Sequence, residues 1–161
     1  MNNYHTPSIS RTPARGDIYY VTGNPEKEPV GTEIWPDRAG LVVSNDAGNR
    51  HSGFVEIVYL STSPRKVPSP THVKVISGKK IATALCEQVH TVDDSRLSAF
   101  IGHATDEEMQ NVSEAILFGL GINHGTSPQG IFHKWERMVR ACGLEEAYWQ
   151  EHEKSFDEIK D

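Results

Sequence analysis

A chain of 161 residues with 37% hydrophobic content and two cysteines fits one domain plus an appendage, and can bury a core without staples. Its net charge of −6 excludes a general nucleic-acid coat, so any nucleic acid must bind in a local groove. Cys86 and Cys142 offer neither zinc spacing nor a disulfide framework. That usage suits a reducing cytosol. No apolar run approaches the ~20 residues of a membrane span, and no signal peptide is expected.

Residues 1–14 are rich in Asn, Ser, Thr and Pro and read as a loose leader. An arm gripping phosphate through Arg11 and Arg15 is the alternative. Ile18 to Val21 reads as a first strand. Residues 22–37, punctuated by Gly and Pro, form a long loop of the kind that often covers a site. It contains Thr32, Glu33 and Trp35, and Trp35 suits either stacking on a base or plugging the core edge.

Leu41 to Ser44 is a short buried strand with Arg38 just before it. Asn45 to Arg50 supplies turn chemistry. Val55 to Leu60 forms a third strand, ending in the hydroxyl cluster Ser61-Thr62-Ser63. Pro64 to Pro70 is a proline-rich loop carrying Arg65 and Lys66. Thr71 to Val75 reads as an edge strand. Ile81 to Val92 reads as one or two strands, and Asp93 to Leu97 as a turn or a single helical turn. Phe100 to His103 closes the β region. Thr105 and Glu108 make a capping box for the clearest helix, with Met109, Val112, Ile116 and Leu120 on one face and Gly121 as the stop.

The remainder changes character. Ser127-Pro128 opens a stretch whose apolar stripe is Ile131, Trp135, Met138, Val139 and Cys142. From His124 onward eight acidic residues face five basic ones. Many short strands with Gly/Pro turns, one firm helix and a helical appendage indicate a small curved sheet or barrel.

Several stretches together resemble one family. Arg15-Gly16-Asp17-Ile18-Tyr19, Gly31-Thr32-Glu33, Arg38 leading into Leu41-Val42-Val43-Ser44-Asn45-Asp46, Gly48-Asn49-Arg50, Pro70-Thr71-His72-Val73, Glu87-Gln88-Val89, Thr91-Val92-Asp93, Ser95-Arg96-Leu97, Ile101-Gly102 and Asp106-Glu107-Glu108-Met109 follow the order seen in MazF/PemK-type toxins. The likeness covers residues 15–122. It implies a mainly β fold with helices, an SH3-like small barrel of the CcdB/PemK/MazF type. The leader (1–14) and a helical C-terminal extension (123–161) lie outside it.

The resemblance also implies a homodimeric, cytoplasmic, sequence-specific endoribonuclease that cuts single-stranded RNA without a metal or cofactor. A cognate antitoxin with an acidic, extended segment would block its RNA groove. Arg38 and Ser61 match the family's catalytic arginine and hydroxyl, with Thr62 the alternative after a one-residue shift. Glu33, Trp35, Thr62, Arg65 and Gln88 are the candidate RNA-binding residues. By type, Glu33 and His90 are candidate proton acceptors, and Glu33 is also expected to pair with Arg38 and orient it.

Two departures from the family pattern stand out. Ala39 follows Arg38 where proline is usual, and His90 follows the Glu-Gln-Val motif where a basic residue is common. A second reading keeps the fold but drops the chemistry: a gyrase poison of the CcdB kind, or a domesticated binding protein. The extension admits two roles, a pad extending the core or dimer interface, or a mask over the RNA groove.

Overall fold

The computed structural model describes residues 11–23, 30–34, 37–63 and 69–122. The elements run β1 (Asp17–Val21), β2 (Arg38–Val42), α1 (Asp46–His51), β3 (Phe54–Ser61), β4 (His72–Ser77), β5 (Lys80–Asp93), β6 (Leu97–His103) and α2 (Asp106–Gly119). A single 3-10 turn at Asp94–Arg96 joins β5 to β6. The six strands form one antiparallel sheet in the order β4-β5-β3-β2-β1-β6. The sheet curls until Gly78, in the turn after β4, lies against Ile101 of β6; a Cβ there would stand 3.3 Å from Ile101 Cγ2. The expected barrel is therefore a curled sheet whose two edges approach each other.

Both faces of the sheet are covered, which is why β3 is almost continuously apolar rather than alternating. On one face Ile18, Leu41, Val58, Leu60, Val75 and Ala84 pack under Met109, Val112 and Ala115 of α2. On the other face Tyr19, Val21, Val42, Ile57, Tyr59, Leu85 and Leu97 pack with Ile34 of the β1–β2 loop. Fully burying side chains of this size contributes about 1.5–3 kcal/mol each.

The long strand β5 serves both neighbours by bending. Its register with β3 shifts between the Val58–Val89 and Leu60–Ala84 pairs, so the chain around Cys86 to Gln88 bulges out of the ladder. This bulge lies beneath the end of α2, where a Cβ on Gly119 would stand 3.3 Å from Thr71 Cγ2 and 3.8 Å from the Cys86 carbonyl oxygen.

Several expectations change. Arg38 is the first residue of β2 rather than its preamble. Asn45 to Arg50 is not a turn: Asn45 caps the short helix α1 by accepting from the Gly48 amide at 2.8 Å. Asn49 is buried there and bonds the Ser44 hydroxyl, which in turn accepts from the Glu56 amide at 3.0 Å. The end of the leader is anchored. Arg11 pairs with Asp17 and lies over the Phe100 ring, 4.8 Å from its centroid. The helix α2 keeps its capping box and stops at Gly121, whose φ of +68° suits glycine. Leu120 leaves the expected buried stripe and is 63% exposed. The expected helices of residues 123–161 lie outside the described residues.

Candidate active site and groove

Arg38 opens β2 and Ser61 ends β3; their ladder ends at the Gly40–Tyr59 pair, and the same register continued two residues along each strand would set Arg38 opposite Ser61. Val21 of β1 flanks Arg38 on its other side. The observed pairs Val21–Arg38 and Ser61–Thr83 lie along one row of that register. Cross-strand neighbours share a face, and Arg38 shares its face with Tyr59, Ile57 and Val42. Arg38 is half-buried, and its Nε is shielded from solvent without a hydrogen-bond partner. A buried donor left unpaired is costly, so this cation retains bonding capacity that an anion would satisfy.

Ala39, in place of proline, leaves β2 without a fixed φ at its start. Asp37 supplies that rigidity. It sits at φ +61°, a left-handed conformation that Asp tolerates better than most residues. Its amide donates to Val21 O at 3.0 Å, its carbonyl accepts from the Tyr20 hydroxyl at 2.8 Å, and its carboxylate accepts from the Gly23 amide at 3.0 Å. Sequence reasoning missed this residue. The pattern Pro-Asp-Arg held the only hint, since Asp before a strand is a common turn residue.

A separate groove of about 390 Å³ runs between the β1–β2 loop, the β5 bulge and the end of α2. Thr32, Glu33, Gln88, His90 and Leu120 are among its lining residues, whereas Arg38 and Ser61 are not. The Gln88 side chain is engaged by the β1–β2 loop. Its Nε2 donates to Thr32 O at 3.0 Å and its Oε1 accepts from the Ile34 amide at 3.1 Å. Glu33 does not pair with Arg38; its carboxylate instead closes its own turn, accepting from the Val30 amide at 2.9 Å. Thr62 lies exposed just beyond the end of β3. Trp35 and Arg65 lie outside the described residues.

His90 pairs with Ile57 across β3 and packs edge-on against Tyr59, with ring centroids 4.9 Å apart. Its Nε2 is buried without a hydrogen-bond partner. Burial pushes its pKa below the ordinary value and Arg96 adds to that fall, while Glu33 opposes it. Cys86, on the groove floor, has its thiol pushed up to about 12, chiefly by burial and then by Glu87, so it stays a thiol and packs as an apolar group. Glu87 pairs with His72 at 3.0 Å. Among the described residues no group of three His, Cys, Asp or Glu side chains is arranged to hold a metal ion.

A family profile described as PemK-like, MazF-like toxin of type II toxin-antitoxin system matches residues 14–119. This chain belongs to that toxin family. Endoribonuclease EndoA of Bacillus subtilis is 34% identical over 112 residues, which span 67% of this chain and 94% of the relative. Among solved structures, MazF from Deinococcus radiodurans superimposes with a TM-score of 0.60 at 19% identity, over 70% of this chain and 99% of its own, which supports the fold alone. A mycobacterial endoribonuclease in complex with its cognate antitoxin is 27% identical, with a TM-score of 0.55 over 69% of this chain and 97% of its own. Among the described residues of this PemK/MazF-family toxin, no helix is long and apolar enough to cross a membrane.

Proposed function

We propose that this chain is the toxin of a toxin–antitoxin pair and acts in the cytoplasm as a sequence-specific endoribonuclease on single-stranded RNA, including mRNA. The family membership and the 34% identical endoribonuclease relative support the activity. Two observations support the site: the β2–β3 register pairs Gly40 with Tyr59 and, continued two residues along each strand, would set Arg38 opposite Ser61, and the Arg38 Nε lacks a hydrogen-bond partner.

In the proposed reaction the 2′-hydroxyl gives its proton to water, its oxygen bonds the adjacent phosphorus, and the bond to the 5′-oxygen of the next nucleotide breaks, that oxygen taking a proton from water, to leave a cyclic phosphate and a 5′-hydroxyl. Negative charge collects on the non-bridging phosphate oxygens. A guanidinium fixed on a central strand meets that charge with two donors in one plane, and always carries its proton. Ser61 donates its hydroxyl hydrogen to a phosphate oxygen. Neither residue is asked to take the 2′-hydroxyl proton, and no metal or cofactor enters the scheme. Thr62, Trp35 and Arg65 remain candidate contacts to bases and backbone. Glu33 and Gln88 act by shaping the loop that faces them.

The natural partner is an antitoxin, and the working unit is a homodimer. One solved relative is held by its cognate antitoxin, and MazE–MazF complexes are known from Deinococcus radiodurans. The test is cleavage of a long single-stranded RNA in EDTA by the purified full chain beside its Arg38→Ala variant. Cuts at a recurring sequence by the parent alone support the reading. Growth arrest with intact RNA would instead favour a gyrase poison of the same fold.

A further inference from the structure

We infer that residues 128–142 of this same chain dock in cis on the rim where α2 ends beside β5, covering the groove at Gln88 and His90. The rim is apolar and unpartnered among the described residues. Leu120 is 63% exposed, Ile122 48%, Phe118 41% and Val89 38%. Val89 and Leu120 line the groove together, where α2 meets the β5 bulge and a Cβ on Gly119 would stand 4.0 Å from Glu87 Cα. Gly121 then ends the helix, with the Ile122 amide donating back to Leu117 O at 2.9 Å, so the chain leaves from the rim itself.

Charge selects the occupant. The groove carries Glu33 and Glu87 and no Lys or Arg. The last turn of α2 holds no basic residue, so the negative end of the helix dipole faces the same place uncompensated. An RNA phosphate is unwelcome there. Within 128–142, Lys134, Arg137 and Arg140 stand against Glu136 alone, a net of +2. The same stretch repeats Ile131, Trp135, Met138 and Cys142 at helical spacing, with Lys134 bordering that stripe and Arg137 and Arg140 farther round.

The leash is short. Five residues, 123–127, separate Ile122 from Pro128. Fully extended they span roughly 17 Å, enough to turn back over the rim. The family match stops at residue 119, and alignments covering 94% of the endoribonuclease relative use only 67% of this chain. The docking segment is thus an addition beyond the shared domain.

The docking stands apart from the catalytic assignment. Its consequence, that RNA reaching the Gln88 end of the groove must displace the segment, rests on the endoribonuclease reading. A tethered segment at about 1 mM effective concentration with a Kd of about 0.1 mM would be docked roughly ten parts to one.

The experiment inserts a specific protease sequence between Asn123 and Ser127 of the full chain. Backbone hydrogen exchange is followed at residues 86–90 and 117–122, before and after cutting and dilution. Exchange about tenfold faster after the cut, with protection in the uncut chain independent of protein concentration, upholds the proposal. Leu120→Glu and Arg137→Glu in the uncut chain should each give the same rise. Identical exchange in cut and uncut protein overturns it. So does protection that fades on diluting the uncut chain, which would assign the rim to a second copy. RNA cleavage is scored on the same samples. A cut protein that exchanges faster yet never cleaves RNA upholds the docking and refutes the endoribonuclease reading.

Discussion

The side chain of Gln88 accepts a hydrogen bond from the backbone of Ile34, whose own side chain is buried against Tyr59 and Leu85. With the second bond to Thr32 O, one amide group fastens the β1–β2 loop to the β5 bulge. Gln88→Ala removes both bonds. At about 0.5–1.5 kcal/mol each they would cost roughly 1–3 kcal/mol. Urea denaturation should show this as a lower midpoint with an unchanged slope, and amide exchange at Thr32 to Ile34 should quicken. Gln88→Glu keeps the acceptor and loses the donor, so it should fall between the two. An unchanged loop in Gln88→Ala would return the residue to the surface as a free RNA contact.

Arg38→Ala should reduce single-turnover cleavage by about 100- to 1000-fold, the usual effect of losing one preorganised donor to a developing oxyanion. Arg38→Lys should recover little, since an ammonium cannot present two coplanar donors. Circular dichroism and denaturant midpoints should remain close to the parent's, because the side chain makes no ion pair among the described residues. Near-full recovery in the lysine variant would reduce the role of Arg38 to bulk charge.

His90 gives a pH signature. Its folded pKa is lowered, mainly by burial, so below the ordinary histidine value the unfolded chain binds the proton and the folded chain resists it. Its contribution is therefore complete above about pH 6.5 and is lost as pH falls from there toward the folded pKa. Denaturation of the parent and of His90→Gln across pH 5–8 should differ by a constant amount at the alkaline end. The parent should lose stability relative to the variant on the acid side. Parallel curves throughout would contradict the burial of Nε2.

Gly40 lies on β2 between Arg38 and Val42, and a Cβ there would stand 2.8 Å from Val21 Cγ2 and 2.9 Å from Ile57 Cδ1. Gly40→Ala should therefore cost about 1–3 kcal/mol by overpacking. It should also disturb cleavage more than an equally destabilising change in α2, because the crowded atoms adjoin the Arg38 row. Cleavage falling only in proportion to the folded fraction would contradict this.

The sequence was most readable where one local force dominates. The Thr105–Glu108 capping box, the Gly121 stop and the edge position of β4 followed from residues within a turn of each other. The mainly β class followed from strand-sized apolar runs. Asn45 to Arg50 misled because Asn, Asp and Gly serve helix caps and turns alike, and the choice was made by Asn49 accepting from the Ser44 hydroxyl, which itself accepts from the Glu56 amide. The fate of Glu33 and Gln88 was illegible for a different reason. Each has the chemistry to bind RNA, and only the β5 bulge decides that Gln88 meets backbone first. Leu120 kept the helical period of Met109 and Val112, yet it stands as the cap past the last residue of α2, Gly119, and is exposed.

The strand order carries a consequence for synthesis. The strand β1 is translated first but sits between β2 and β6, so one of its two ladders waits for residues 97–103. Such distant pairing slows folding relative to local contacts. A ribosome still translating the middle of the message carries a chain whose first strand is bonded on one side only. The row through Val21, Arg38 and Ser61 is fully braced only when nearly all of the shared domain has emerged. Strand order thus makes this toxin a late-ripening one, with an interval after initiation in which a partner protein can be made before the nuclease is whole.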